Sequence, residues 1–208
     1  MVNIISGGLH ARRGMDVQDF LIVPVGAITM LEAIHLAARI RDATAAVCAD
    51  RGLPTLLADE GGLSPGCRTG REALELLMTA IERAKLEPGR DVAIAIAIDV
   101  AATRDDMIDL VTSWVDEFPI LSIEDPLDEE DWAGWNGLTS RIGGRVHLIG
   151  DDLFTTNAER LRKGIASGCA TGILVKVNQN GTLTGTLQVA ALAGGGLRPG
   201  RVRAIGRN

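Results

Sequence analysis

The 208-residue sequence predicts an α/β fold, an incomplete barrel of parallel strands, and three observations support this prediction. Short runs rich in Val, Ile and Leu recur with helix-like segments between them, as in βαβ units. These runs show no polar alternation, as expected for strands that are buried on both faces. Four of the runs end in charged residues, in the order Asp, Glu, Asp, Lys. Because functional groups of such barrels lie at the carboxyl ends of the strands, these charges are expected at one rim.

The order of elements is predicted to be β-β-α-α-(β-α)4, an opening hairpin followed by parallel units. The first helix is stopped by Gly52 and Pro54, and the second by Pro88 and Gly89. The predicted strands cover residues 2–6, 20–25, 91–99, 120–124, 146–150 and 172–177. The predicted helices cover residues 27–50, 71–86, 104–118, 128–141, 156–167 and 182–193.

The length predicts fewer strands than a closed barrel has. A complete eight-stranded barrel usually needs about 250 residues, and the pattern contains about six of the eight strands. We therefore expect one partial barrel domain over residues 1–193. Residues 194–208 are rich in Gly and Arg and are expected to form a disordered tail without a further strand; an arm for an anionic partner is the alternative.

Composition excludes several classes of protein. Hydrophobic residues make up 46% and charged residues 23% of the chain, which is typical of a globular domain. A net charge of −6 and 3% aromatic residues give no reason to expect a nucleic-acid partner. No apolar run approaches the roughly 20 residues of a membrane span. Cys48, Cys67 and Cys169 lack CxxC spacing, which favours free or buried thiols and a cytoplasmic location.

Three carboxylates predict a metal site. Asp99, Glu124 and Asp151 end successive strands, 25 and 27 residues apart, which is about one β-α unit each. A ligand set of oxygen atoms without Cys or His suits Mg²⁺ or Mn²⁺ rather than zinc. The alternative is that these acids cap helices or form salt bridges.

Two further residues are candidates for acid–base chemistry. Lys176 closes an apolar strand and is expected either to act as a general base beside the metal or to form a buried salt bridge. Glu60 lies in the sequence DEGG, on a loop between two helices, where glycines permit a close approach of substrate. Glu60 is either an acid on the other side of the site or part of an ordinary solvated turn.

Residues 2–193 resemble enolase, the phosphopyruvate hydratase family, in motifs that follow the family order. The combination of the SIEDP, GDDL and KVNQ strings is highly specific to that family. The matching strings are SGGLHA, VQDFLIVPVGA, DEGG, IDVA, SIEDPLDEEDW, GDDLFTTN and LVKVNQNGTLT.

The resemblance implies an enolase-type barrel and a lyase of glycolysis that reversibly dehydrates 2-phosphoglycerate to phosphoenolpyruvate with Mg²⁺. Asp99, Glu124 and Asp151 match the metal ligands of the family. Lys176 matches the base that removes the proton next to the substrate carboxylate, and Glu60 matches the acid that assists departure of the hydroxyl group.

Two more positions match residues of the family's active site. Asp19 stands where the family carries Glu in a QEF motif, so its carboxylate is one methylene shorter, and it is expected to support Glu60. His10 matches the histidine of the GG.HA loop. The resemblance also implies a second copy of the chain as a partner, and a complementing chain is the alternative partner.

Some family motifs are not found in these 208 residues, which resemble a barrel domain truncated at both ends. The family's N-terminal domain, its SHRSGE strand and a later lysine have no counterpart here. Since these parts bind phosphate and carboxylate, the activity of the isolated chain is expected to be near background unless a partner chain supplies them. The alternative hypothesis is a non-catalytic enolase fragment that acts as a metal-binding or interaction module.

Overall fold

A computed structural model describes residues 1–7, 15, 17–98, 103–195 and 203–206. The strands are β1 (Val2–Ser6), β2 (Val17–Val23), β3 (Ala93–Ile98), β4 (Ile120–Glu124), β5 (His147–Gly150), β6 (Gly172–Val175) and β7 (Arg203–Gly206). The helices are α1 (Met30–Asp50), α2 (Gly70–Arg83), α3 (Arg104–Glu117), α4 (Trp132–Ile142), α5 (Ala158–Ser167), α6 (Val177–Asn180) and α7 (Leu183–Gly195).

The predicted order of elements is confirmed, with two additions. The short helix α6 follows β6 directly, where the prediction extended the strand to residue 177. Strand β7 lies in the Gly/Arg-rich tail and pairs with β6 in parallel. The expectation of a tail without a strand is therefore wrong for Arg203–Gly206.

The chain divides into two compact units. The first contains residues 1–102 and 113–121, and the second contains residues 103–112 and 122–208. This division was not predicted from the sequence.

The first unit contains an antiparallel sheet in the order β1–β2–β3. Strand β2 pairs antiparallel with β1 on one side and with β3 on the other. All six residues of β3, with the sequence AIAIAI, are buried, as expected for a strand covered on both faces. Helix α2 adds Leu74, Leu77 and Ile81 to the same core.

Helices α1 and α2 begin with the same capping arrangement. The side chain of Thr29 accepts a hydrogen bond from the N–H of Glu32 at 3.2 Å, and that of Thr69 accepts one from the N–H of Glu72 at 3.2 Å. Such a cap satisfies an N–H group that has no partner within the helix. The cap places the start of α1 at Met30, three residues after the predicted start.

The second unit contains β4 from Ser122 onward and the strands β5, β6 and β7, which pair in parallel in sequence order. Glu124 at the end of β4 is aligned with Ile149 of β5, and Gly150 is aligned with Ile173 of β6. Because neighbouring strands run in the same direction with little offset, the residues that follow β4, β5 and β6 lie at the same edge.

Helix α4 begins four residues later than predicted. Asp128 does not belong to the helix; its side chain accepts a hydrogen bond from the N–H of Glu130 at 2.8 Å, and so forms a turn. Asp131 then caps the helix by accepting from the N–H of Gly134 at 3.0 Å.

Two predictions from composition can be compared with the structure. None of the helices in the described ranges is long and apolar enough to cross a membrane. Cys48, Cys67 and Cys169 are buried and free, as predicted, and burial raises the pKa of each thiol.

Candidate metal and acid–base site

Three carboxylates gather at the strand ends of the second unit. Asp125 follows β4, and Asp151 and Asp152 follow β5; one oxygen of each lies within 4.8 Å of the others. Carboxylate oxygens are the ligands that Mg²⁺ prefers. The donor set therefore fits a hard divalent cation. Of the predicted ligands it includes Asp151, and the predicted ligand trio itself stays a prediction.

Asp125 organises this cluster through the backbone. Its two carboxylate oxygens accept hydrogen bonds from the N–H groups of Asp151, at 3.0 Å, and Asp152, at 2.8 Å. Its own N–H donates to the carbonyl of Ile149 at 3.0 Å. Through these hydrogen bonds the side chain of Asp125 holds the turn after β5.

The surroundings of Asp125 disfavour its charge. The pKa of this carboxyl is raised to about 7, mainly by burial. The two backbone N–H donors act against this rise, and the negative charges of Asp151 and Glu124 add to it. The backbone of Asp125 also adopts a left-handed conformation, with φ of 41°. Strained backbone of this kind often occurs at functional sites.

Asp151 is held by two side chains from the segment after β6. Lys176 donates through Nζ to Oδ2 of Asp151, and Gln179 donates through Nε2 to Oδ1 at 2.8 Å. The side chain of Asp151 is 10% exposed and that of Lys176 is 31% exposed. The salt bridge that the sequence left open for both residues is thus present, and it brings the predicted base and a predicted ligand together.

The turn after β5 has an unusual backbone. Thr155 and Thr156 adopt φ of 45° and 49°, which β-branched residues rarely do. Thr156 is fully buried; its hydroxyl accepts from the N–H of Lys176 at 2.9 Å and donates to Oε1 of Gln179 at 2.8 Å. These bonds fasten the turn after β5 to the turn after β6.

Glu124 ends β4, as the sequence predicted, and it is half-buried. It lies close enough to Asp125 to raise the pKa of that carboxyl. It does not belong to the described cluster of three acids, so its role as a metal ligand stays a prediction.

Asp19 directly precedes the predicted strand 20–25, but in the structure it lies inside β2 and is 2% exposed. Strand β2 begins at Val17, three residues before its predicted start, because it pairs with both β1 and β3. Oδ1 of Asp19 accepts from the hydroxyl of Ser6 at 2.8 Å and from the amide of Asn3 at 2.5 Å. Its predicted support of Glu60 stays a prediction.

Glu60 lies at the exposed tip of a tight loop in the first unit. The N–H of Gly61 donates to the carbonyl of Ala58 at 2.9 Å, and Gly61 adopts φ of 82°, which glycine adopts without a steric penalty. The loop is tied to β1, since Leu63 donates to the carbonyl of Ile4 at 2.8 Å. The loop thus forms the solvated turn that the sequence left open, and it presents Glu60 at its tip.

Two predicted site residues cannot be placed. His10 and Asp99 lie outside the described residues. The sequence prediction missed Asp125, Thr156 and Gln179. All three lie in motifs that the sequence analysis used: Asp125 in SIEDP, Thr156 in DDLFTTN and Gln179 in KVNQ. These polar residues near the predicted ligands and base could have been considered as their hydrogen-bond partners.

The comparison with known families agrees with this geometry. The family described as enolase, C-terminal TIM barrel domain, matches residues 1–105 and residues 99–196. The matches together span most of the chain and include every strand from β1 to β6. The mixed α/β architecture with an opening β-β-α-α segment is that of an incomplete barrel of this type. The chain therefore belongs to the family of enolase C-terminal TIM barrel domains.

Proposed function

We propose that this chain is a Mg²⁺-dependent lyase that dehydrates 2-phosphoglycerate reversibly to phosphoenolpyruvate. Membership of the enolase family supports a lyase of this kind. The observation that carries the proposal is the contact between Lys176 and Asp151, which places an amine beside a carboxylate suited to a divalent cation. A base removes a proton more readily when groups beside it stabilise the charge that develops on the substrate.

Lys176 is proposed to take the proton from the carbon next to the substrate carboxylate. The C–H bond breaks, its electrons move towards the carboxylate, and the proton goes to Nζ of Lys176. Since Nζ contacts Asp151, the amine is held at a fixed position at the strand ends rather than free in solvent.

Asp151 is proposed to hold the Mg²⁺, with Glu124 and Asp99 as the further ligands that the family resemblance implies. Asp152, whose carboxylate lies in the same cluster, is a fourth candidate. A bound Mg²⁺ stabilises the negative charge that develops on the substrate carboxylate. Asp125 keeps the N–H groups of Asp151 and Asp152 paired, which fixes the backbone that carries both carboxylates.

Glu60 is proposed to give a proton to the departing hydroxyl, which leaves as water. Removal of one proton by Lys176 and delivery of one by Glu60 balance the reaction. The exposed loop of Glu60, tied to β1 through Leu63, suits a residue that meets a substrate. From the family resemblance, Asp19 is proposed to support Glu60, and His10 is proposed as a further active-site residue.

The proposal is tested by following phosphoenolpyruvate formation from 2-phosphoglycerate with the purified chain. We expect turnover that is slow, because the isolated chain lacks the family's phosphate- and carboxylate-binding parts, but that depends on Mg²⁺ and is abolished in Lys176→Ala and Asp151→Asn. The same substitution at the exposed Lys163, Lys163→Ala, is the matched control and is expected to retain wild-type turnover. Turnover that persists in Lys176→Ala would show that another group is the base.

A non-catalytic, metal-binding role is the second candidate, and one observation favours it. Both oxygens of Asp151 already accept hydrogen bonds, one from Lys176 and one from Gln179. The ion pair of Lys176 and Asp151 can therefore also serve as a structural salt bridge. A folded chain that binds Mg²⁺ through Asp151 without converting 2-phosphoglycerate would support this second role.

A further inference from the structure

We propose that Thr156 and Gln179 are positioning residues that orient Asp151 for the divalent cation. Nothing in the family motifs assigned them a role. The inference rests on the proposed function to the extent that Asp151 is taken as the cation ligand. It concerns hydrogen bonds that the second unit makes within itself.

The hydrogen bonds between these residues have a fixed direction. The backbone N–H of Lys176 can only donate, and it donates to the hydroxyl oxygen of Thr156 at 2.9 Å. The Thr156 hydroxyl then donates its own proton to Oε1 of Gln179 at 2.8 Å. With its oxygen engaged, Gln179 turns its NH₂ group towards Oδ1 of Asp151, at 2.8 Å.

These hydrogen bonds form a closed ring. The last bond runs from Nζ of Lys176 to Oδ2 of Asp151, and the backbone N–H of the same lysine is the donor of the first bond. Asn180 donates to the carbonyl of Thr156 at 3.0 Å and holds the left-handed Thr156 backbone in place. Because Thr156 is fully buried, solvent does not compete for its hydroxyl.

This ring of hydrogen bonds fixes the orientation of the Asp151 carboxylate, and so fixes the direction in which its remaining lone pairs can bind a cation. A carboxylate whose two oxygens are both held loses little rotamer entropy when it binds a cation. Hydrogen-bond partners that orient a metal ligand typically change metal affinity by about 10- to 100-fold when they are removed. If Gln179 instead merely competed with the cation for Asp151, its removal would strengthen cation binding, so the sign of the change separates the two roles.

The test measures Mn²⁺ affinity of the full 208-residue chain by electron paramagnetic resonance. Gln179→Met and Thr156→Val are expected to weaken Mn²⁺ binding by about 10-fold or more. Thr156→Ser keeps the hydroxyl and is expected to bind within about twofold of the wild type, since only hydrogen bonding is at issue. Gln188→Met, at an exposed position of α7, is the matched control.

A second readout needs no metal, and its first comparison is made within the wild-type chain. The side-chain NH₂ of Gln179 is expected to give NMR signals shifted away from those of the exposed Gln188, because it donates to a carboxylate. The shift is expected to disappear in Thr156→Val and to remain in Thr156→Ser. Coincident signals of Gln179 and Gln188 in the wild type would overturn the inference even where a variant fails to fold.

The outcomes separate this inference from the proposed function. Unchanged or tighter Mn²⁺ binding by Gln179→Met and Thr156→Val, or equal loss in Thr156→Ser, would overturn the positioning role alone. Asp151→Asn is measured beside them. Wild-type Mn²⁺ binding by Asp151→Asn would instead overturn the proposed function, and the metal role of Gln179 with it.

Discussion

Lys176 donates through Nζ to Oδ2 of Asp151, although 25 residues separate them in the sequence. The two residues follow neighbouring parallel strands, in which Gly150 of β5 is aligned with Ile173 of β6. The contact is therefore a consequence of parallel pairing, which brings the carboxyl ends of strands to one edge. At this edge the second unit therefore has an acid and an amine side by side, where the sequence predicted a metal ligand and a general base.

Removal of the Asp125 side chain is expected to loosen the turn after β5. Asp125→Ala removes the acceptor of two backbone N–H groups and places alanine at φ of 41°, so the free energy of unfolding should fall by about 2–3 kcal/mol. Asp125→Asn should cost less, because Asn keeps one acceptor and tolerates this conformation. Urea unfolding, with amide exchange at Asp151 and Asp152, measures both effects; equal stability of Asp125→Ala and the wild type would contradict this role.

A methyl group at Gly62 is expected to disturb the loop that carries Glu60. A Cβ atom there would lie 2.4 Å from Oγ of Ser6, which donates to Asp19. Gly62→Ala should therefore destabilise the chain by about 1–2 kcal/mol, as other overpacked sites do. Its effect should be smaller in a Ser6→Ala background, where the clashing oxygen is absent. Strictly additive effects in thermal unfolding would show that the clash is not the cause.

Two glycines of α4 are expected to respond oppositely to the same substitution. At Gly137 an added Cβ meets no atom within 4 Å, so Gly137→Ala should raise the free energy of unfolding by about 0.5–1 kcal/mol through helix propensity. At Gly134 the added Cβ would lie 2.3 Å from Oδ2 of the capping Asp131, so Gly134→Ala should destabilise. Thermal melts compare the two variants, and a lower melting temperature for Gly137→Ala would be inconsistent with the open space around it.

The Cys67 thiol is expected to make stability depend on pH above 9. Burial, followed by the charges of Glu72 and Cys48, raises the pKa of this thiol from 9.0 to about 11. Between pH 9 and pH 11 the thiol of the unfolded chain loses its proton, whereas that of the folded chain keeps it. The contribution of this thiol to the free energy of unfolding is therefore fully present below pH 9 and is lost as the pH rises towards 11. The loss should be on the order of 2 kcal/mol. In Cys67→Ala the slope of the unfolding free energy against pH should flatten; an unchanged slope would exclude Cys67 as its source.

Strands with clear apolar runs were predictable from the sequence alone. The bounds of β1 and β4 agree with the prediction, because charged or polar residues mark where each buried run stops. Helix starts were less predictable, since the cap decides them: Thr29 and Asp131 shorten α1 and α4 relative to the apolar pattern. The pairing of Arg203–Gly206 with β6 depends on contacts between distant backbones, which a Gly- and Arg-rich sequence does not indicate.

The site was predictable to the extent that strand ends determine it. Asp151 and Lys176 could be paired from their positions after neighbouring strands. The motifs contain Asp125, Thr156 and Gln179, but the contacts of these residues could not be predicted, because they depend on left-handed backbone at Asp125 and Thr156. No residue type in these positions requires such a conformation, so only the folded turn shows which donors meet Asp151.

The central claim is that Lys176 removes a proton beside a cation held by Asp151, and isotope exchange tests it most directly. The folded chain is incubated with 2-phosphoglycerate and Mg²⁺ in D₂O, and deuterium at the carbon next to the carboxylate is measured by mass spectrometry. This readout reports proton removal even where water is not expelled. We predict Mg²⁺-dependent deuterium incorporation that Lys176→Ala abolishes and Lys163→Ala retains. Incorporation at the wild-type rate by Lys176→Ala, or none by a folded wild-type chain that binds Mg²⁺, would contradict the account.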